Sequence, residues 1–274
     1  MSNILTINEM VREKMDQASD AGSAQFINTV RPIYGSSENG NPIHLGTCLL
    51  LEWNCQHYLI TAAHIIDGNE HSTLYVGVGS SLISVDGVFN ATEKPNGDRD
   101  KDHYDFAWLK LSEASMSAYK NFEYIPSQNI LSGNHKSGKN LHLGLGYPNS
   151  KNKQLNIVEH SLKPRYMKYS STIATATELC DEWGISGKDH LFLKYDRKHA
   201  KDSEGNIVNT LSPCGTSGGA LIDMGSFNKT EVCLPGHRFK GHLAGMLIEY
   251  SQKYNVLVAV RIHLILRTIV TTLS

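Results

Sequence analysis

Residues 212–223, SPCGTSGGALID, place one hydroxyl, that of Ser217, between Gly215 and the pair Gly218–Gly219, with an apolar run behind it. The stretch satisfies G-x-S-x-G, which makes a nucleophile elbow only with a buried strand before the serine and a helix after it. Neither is visible: NTLSPC precedes, and GALIDMGSFNKT carries no helical periodicity. ALI reads instead as the start of a strand, with a glycine-rich turn in front of it. Small residues let another group approach the backbone, and their permissive φ angles can turn successive amides toward one point. The rest of the chain has to supply what would meet that serine.

Composition sets the frame. With 274 residues, 40% of them hydrophobic, and 23 glycines, the chain can bury a sizeable core and is not a disordered one. The 26 basic and 27 acidic residues balance, so no bulk field attracts nucleic acid or an anionic membrane. The opening residues MSNILTINEMVREKMDQASD lack the apolar core of a signal peptide. Ile7, Met10, Val11 and Met15 recur at helical spacing instead and predict a short amphipathic helix. No apolar run is long enough to span a bilayer. The five cysteines, Cys48, Cys55, Cys180, Cys214 and Cys233, form no CxxC and are odd in number, which points to reduced thiols and a cytoplasmic protein.

From about Ala24 the texture is one of short apolar or alternating runs broken by Gly, Asn, Asp and Ser. QFINTV, IHLGTCLLLEW, HYLITAA, TLYVGVG, SLISVDGVF and DFAWLKL form a first set. NLHLGLGY, QLNIVEHSL, RYMKYSSTI, HLFLKYD, GALIDM, HLAGMLIEY and VLVAVRI form a second. The polar PSQNILSGNHKSGKN between them reads as a connector. Its GNHKSGK, residues 133–139, approaches a phosphate-binding loop but ends at Asn140 and has a strand, not a helix, after it, so it is no nucleotide site. The organisation is all-β: a helical extension over 1–23, a first barrel over 24–125, the connector over 126–140, a second barrel over 141–260, and a C-terminal helix over 261–274.

Two segments upstream complete the chemistry. LITAAHIID carries His64 at the end of an apolar strand, and DFAWLKL opens with Asp105. A serine hydroxyl becomes nucleophilic when a base removes its proton, and the base needs a fixed tautomer and a counter-charge. His64, Asp105 and Ser217 supply these three parts in that chain order. Asp98, Asp100 and Asp102 are rivals for Asp105, but they sit in the charged run NGDRDKDHY, which reads as a solvated loop. Cys214 precedes Gly215 and reads as a packed structural thiol. His44, His57 and the other histidines make no metal motif, and neither a metal nor an organic cofactor is expected.

With TAAH, DFAWL and GTSGGAL in this order, supported by Gly146-Tyr147-Pro148 and by AGMLIEY, residues 24–260 resemble the chymotrypsin (trypsin-like) serine protease superfamily. The resemblance implies two antiparallel six-stranded β-barrels with the site between them, His64 and Asp105 from the first and Ser217 from the second. It implies a serine endopeptidase, a protein or peptide substrate, and an oxyanion hole made by the backbone N–H groups of Gly215 and Ser217. It places Leu211 at the base of the specificity pocket and Ile248, Glu249 and Tyr250 along its wall. The alternative it leaves is a catalytically silent module of the same fold that binds peptides.

The chain departs from the family at one instructive place. Secreted members activate when a new N-terminal amine pairs with an aspartate before the serine; that position is Thr216 here, and Ile65 replaces the cysteine after the histidine. The oxyanion loop is therefore expected to be either preformed or ordered by something else, an activating partner protein or the substrate. A regulated cytoplasmic protease, with no nucleic-acid or membrane partner, is the resulting expectation.

Overall fold

A computed structural model describes residues 6–68, 72–79, 81–131, 133, 140–152, 164–198, 200–201, 206–227 and 236–273. Helix α1 (Ile7–Phe26) is followed by β1 (Val30–Ser36), β2 (Pro42–Trp53), β3 (Gln56–Ala62), α2 (Ala63–Asp67), β4 (Tyr75–Val78), β5 (Ser81–Ser84), β6 (Asn90–Ala91) and β7 (Phe106–Lys110). Next come α3 (Glu113–Tyr119), β8 (Asn140–Gly146), α4 (Asn149–Asn152), β9 (Met167–Thr172), α5 (Thr177–Trp183) and β10 (His190–Lys194). The chain closes with β11 (Ala200–Lys201), β12 (Ile207–Val208), β13 (Ala220–Ser226), β14 (His242–Ser251), β15 (Val256–Arg261) and α6 (Ile262–Leu273). The expected strand QLNIVEHSL, most of the GNHKSGK segment and Cys233 lie outside the described residues.

The strands form two main antiparallel sheets. The first has order β5-β4-β1-β2-β3-β7-β6, one strand more than expected because the two-residue β6 adds to the edge of β7. The second has order β10-β15-β14-β13-β8-β9, and its two edges meet through an Ile173–Leu193 bridge and an Ala174 N–H bond to the Phe192 carbonyl (2.7 Å). Strands β2 and β15 are buried at consecutive positions, on both faces, which is why CLLLEW and VLVAV read as continuous apolar runs. In β2, Cys48 and Leu50 point into the first sheet's own core, while Leu49 and Leu51 join a layer shared with Leu143, Ile222 and Met246 of the second sheet. Leu221, Leu247 and Leu257 fill the second sheet's interior. Two separate cores and one common layer thus bind the sheets back to back around the site.

Helix α1 departs from its expected face and end. Thr6 caps it: Glu9 N–H donates to Thr6 Oγ1 (3.3 Å) and Thr6 N–H to Glu9 Oε2 (2.7 Å), a reciprocal box. Ile7, Met10 and Val11 are exposed, at 80%, 40% and 44%. The buried stripe is Ala18, Ser19, Gly22, Ser23 and Phe26, and it lies on the second sheet. Gly22 approaches so closely that a Cβ there would sit 2.7 Å from Met224 Sδ. Docking of Phe26 extends the helix through the first residues of QFINTV, and the strand begins only at Val30. Gln25 ties the helix end to Gly241 through both of its amide atoms (3.1 and 3.0 Å).

Phe26→Ala is therefore expected to lower stability by about 3–5 kcal/mol in urea denaturation. Ile7→Ser, on the exposed turn, should change it by no more than about 0.5 kcal/mol.

Candidate active site

Strand register brings His64 and Asp105 together. β3 and β7 pair with Ala62 opposite Phe106, so the residues just beyond that end of the ladder are Ala63-His64 on one side and Asp105 on the other. Ala63 N–H donates to the Asp105 carbonyl (3.1 Å). Asp105 Oδ1 accepts the His64 backbone N–H (2.9 Å), and Oδ2 accepts His64 Nδ1–H (2.6 Å). Both carboxylate oxygens are thus spent on one residue, which fixes the imidazole's tautomer and leaves Nε2 facing outward. The side chain of His64 stays 42% exposed while that of Asp105 is 10% exposed.

Asp105 sits at φ +39°, a region non-glycine residues enter rarely. Asp102 holds it there, accepting the N–H groups of Tyr104 (3.1 Å) and Asp105 (3.0 Å) on Oδ1. Its Oδ2 takes Arg99 (2.5 Å) and the Thr92 hydroxyl, and Arg99 reaches on to Asp67 at the end of α2 (2.9 Å). Asp102 is buried, so it is no part of a solvated loop; its carboxylate is a scaffold for the Asp105 backbone. Burial draws the His64 pKa down, but the Asp105 hydrogen bond and charge, with Asp67, outweigh burial and the opposing Arg99, and the net shift is upward from 6.5.

The Ser217 turn is held by its carbonyls. Pro213 O accepts from Thr216 N (2.9 Å) and Oγ1 (2.7 Å), and Cys214 O accepts from Asn149 N (2.7 Å). Gly215 O accepts from Thr47 Oγ1 (3.1 Å), Thr216 O from Gly219 N (2.8 Å) and Ser217 O from Thr47 N (2.9 Å). Every carbonyl from 213 to 217 is occupied and turned toward protein. The Gly215 and Ser217 amides, by contrast, donate to no group among the described residues. Glycine is required at two positions here. Gly215 has φ +94° and a Cβ would lie 2.2 Å from Asn149 Oδ1; Gly218 has φ +84° and a Cβ would lie 1.8 Å from Thr47 O. The same packing sets the turn against β2 and β3, three residues from His64.

The Ser217 hydroxyl donates to the Ile248 carbonyl (2.8 Å), and no hydrogen bond joins it to His64 among the described residues. Leu211 is half-buried, with its carbonyl bound by the Tyr195 hydroxyl (2.7 Å). Tyr250 packs edge-on against that same Tyr195. Glu249 is at the surface; loss of solvation, then the Asp105 and Asp100 charges, raise its carboxyl above the usual range against the pull of His64. Cys214 is exposed rather than packed, and its sulfur accepts from Ser212 Oγ (3.3 Å). Asp102, Thr47, His44 and Asn149 are the site-building residues that the sequence did not disclose. Among the described residues no cluster of three His, Cys, Asp or Glu side chains is placed to hold a metal ion.

Neither a family model nor a curated protein matches the sequence. Among solved structures, Vibrio cholerae VesB protease aligns at a TM-score of 0.52 over 90% of this chain and 64% of that one, with 12% identity. The fold is chymotrypsin-like. A Glu endopeptidase solved in complex with MPD also aligns, over 85% of this chain and 84% of that one, at 14% identity and a TM-score of 0.44. This chain spans less than two thirds of the VesB chain. Within the chymotrypsin-like frame, the His64–Asp105 pair and the Ser217 turn stand at the facing ends of the two sheets, and no described helix is long and apolar enough to cross a membrane.

Asp102→Asn keeps one acceptor but removes the charge facing Arg99, and should cost about 1.5–3 kcal/mol in denaturant titrations.

Proposed function

We propose that the chain is a serine endopeptidase acting through an acyl-enzyme, with His64, Asp105 and Ser217 as its catalytic residues. The observation that carries this reading is that the Gly215 and Ser217 amides donate to no group among the described residues, in a turn whose carbonyls from 213 to 217 are engaged elsewhere. A turn built that way presents two N–H groups to an incoming oxygen.

In this mechanism the Ser217 hydroxyl swings from the Ile248 carbonyl to His64 Nε2. Oγ attacks the scissile carbonyl carbon, His64 takes the hydroxyl proton, and the carbonyl electron pair moves onto oxygen. The Gly215 and Ser217 N–H groups receive that oxyanion, and Asp105 steadies the imidazolium. Collapse breaks the C–N bond, His64 gives its proton to the departing amine, and an acyl group remains on Oγ. Water, deprotonated by His64, repeats the attack and restores the serine. The steps need only this chain's groups and water. Leu211, Ile248, Glu249 and Tyr250 are proposed to line the side-chain pocket of the protein or peptide substrate.

A reducing, cytoplasmic setting and regulated action belong to the same proposal. They rest on the thiols of Cys48, Cys55, Cys180 and Cys214, which form no disulfide among the described residues, and on the need to restrain a protease there. An activating partner protein is one form the restraint could take; coexpression with candidate substrates that yields no cleaved product under any stress counts against it. The second reading, a silent peptide-binding module, is favoured by the Ser217 hydroxyl resting on Ile248 O instead of on His64.

Fluorophosphonate labelling read by intact mass decides between them. The protease reading expects one adduct on the wild type, none on Ser217→Ala, and labelling slowed about 10⁴-fold in Asp105→Asn; an unlabelled wild type supports the silent module. The labelling rate should rise with pH about a midpoint above 6.5, because His64 acts as a base only when neutral. Stability runs the other way. The charged His64–Asp105 pair stabilises the fold fully below the unfolded histidine value, and that contribution disappears as pH climbs through the raised folded value. A labelling midpoint below 6.5 contradicts the role given to Asp105.

A further inference from the structure

Among the described residues the carbonyl of the Cys214–Gly215 peptide has one hydrogen-bond donor, and that donor comes from a residue with its own anchor. Asn149 N–H donates to Cys214 O (2.7 Å). In a trans peptide the C=O and N–H point in opposite directions. Whatever holds the Cys214 carbonyl toward Asn149 therefore aims the Gly215 N–H the other way, away from Asn149. Asn149 opens the four-residue turn α4, and its side chain lies flat against the face of Gly215, within 2.2 Å of where a Cβ would be.

Asn149 is in turn gripped from the first sheet. His44 of β2, 5% exposed, donates Nδ1–H to Asn149 Oδ1 (2.6 Å) and packs edge-on against Tyr34. Asn152, three residues on, holds the other end of the turn. Its Nδ2 donates to the Pro148 (2.8 Å) and Arg165 (2.9 Å) carbonyls, and its Oδ1 accepts Arg165 N–H (2.9 Å). No hydrogen bond joins His44 to Ser217 among the described residues, and His44 takes no part in the proposed acyl transfer.

We propose that His44 and Asn149 are positioning residues, a neutral hydrogen-bonded clamp that keeps the Gly215 N–H turned outward. The oxyanion turn is thus assembled before any partner or substrate arrives. The consequence for activity rests on the protease reading; the consequence for the peptide's orientation does not.

The test uses His44→Phe, which keeps a buried ring against Tyr34 but removes the donor, and Asn149→Ala, which removes the acceptor from a half-buried surface turn. Crystal structures of both should show the Cys214–Gly215 peptide reversed, with its carbonyl off the Asn149 amide. Fluorophosphonate labelling of Ser217 should slow by about 10²–10³-fold, the usual effect of losing one oxyanion donor, while the thermal midpoint of Asn149→Ala stays near that of the wild type. If the peptide keeps its orientation in both variants, the clamp is overturned whatever the labelling rate. A wild type that is never labelled, with reversed peptides in the variants, sinks the protease reading and leaves the clamp standing.

Discussion

Thr47 is the bolt on which the assembly turns. It is fully buried in β2, and all three of its polar groups are committed. Its N–H and hydroxyl reach across to the carbonyls of Ser217 and Gly215, and its own carbonyl receives the Thr61 hydroxyl (2.7 Å). The hydroxyl also accepts the Tyr147 N–H from the end of β8 (3.0 Å). Opposite it in β1 stands Pro32, which has no N–H to offer. One threonine side chain and one amide therefore lock the serine turn of the second sheet onto the strand pair that ends in His64. Each bond is worth about 1 kcal/mol net, but an unmade partner in this buried position costs about 1–3 kcal/mol. Position, more than summed strength, is what the threonine supplies.

The same logic governs the two halves of the site. On the Ser217 side, carbonyls are bound and two amides donate to no group among the described residues. On the His64 side, a carboxylate is bound so that one imidazole nitrogen remains. Asp102 performs for Asp105 what Thr47 performs for Ser217: it takes up the backbone of an irregular, strained position, at φ +39° for Asp105, and lets the functional group point outward. The Arg99 bridge to Asp67 closes this support back onto α2, so the histidine and its partner rest on one connected network of charges.

The contiguous parts of the candidate site are legible in the sequence, and those made by folding are not. TAAH, DFAWL and GTSGG are each read within a few residues, and alternation of apolar positions was enough to mark the two groups of strands. Thr47 reads as one β-branched residue in a strand, His44 as a lone histidine, and Asn149 as a turn residue after a proline; their importance lies in groups 100 or more positions distant, as between His44 and Asn149, 105 apart. Asp102 was hidden by its charged neighbours, since nothing in NGDRDKDHY says which carboxylate turns inward. Helix α1 misled for a different reason. Of the apolar residues at helical spacing Met15 packs against the core while Ile7, Met10 and Val11 stay exposed; close approach to a sheet selects small side chains, and Ala18, Gly22 and Ser23 carry no hydrophobic signal strong enough to compete.

The resting position of the Ser217 hydroxyl can be weighed by magnitude. Moving it from the Ile248 carbonyl to His64 exchanges one hydrogen bond for another, and the net worth of such a bond is about 0.5–1.5 kcal/mol. That is at most about a tenfold population cost, since 1.4 kcal/mol corresponds to a factor of ten. A turn with its Gly215 amide reversed would lose about 10²–10³-fold instead. The rotamer is thus a weak mark of silence and the peptide orientation a strong one. Because the amides of Gly215 and Ser217 donate to no group among the described residues, while five successive carbonyls are held away from them, the larger of the two barriers under the proposed protease reading is the one that this turn lacks.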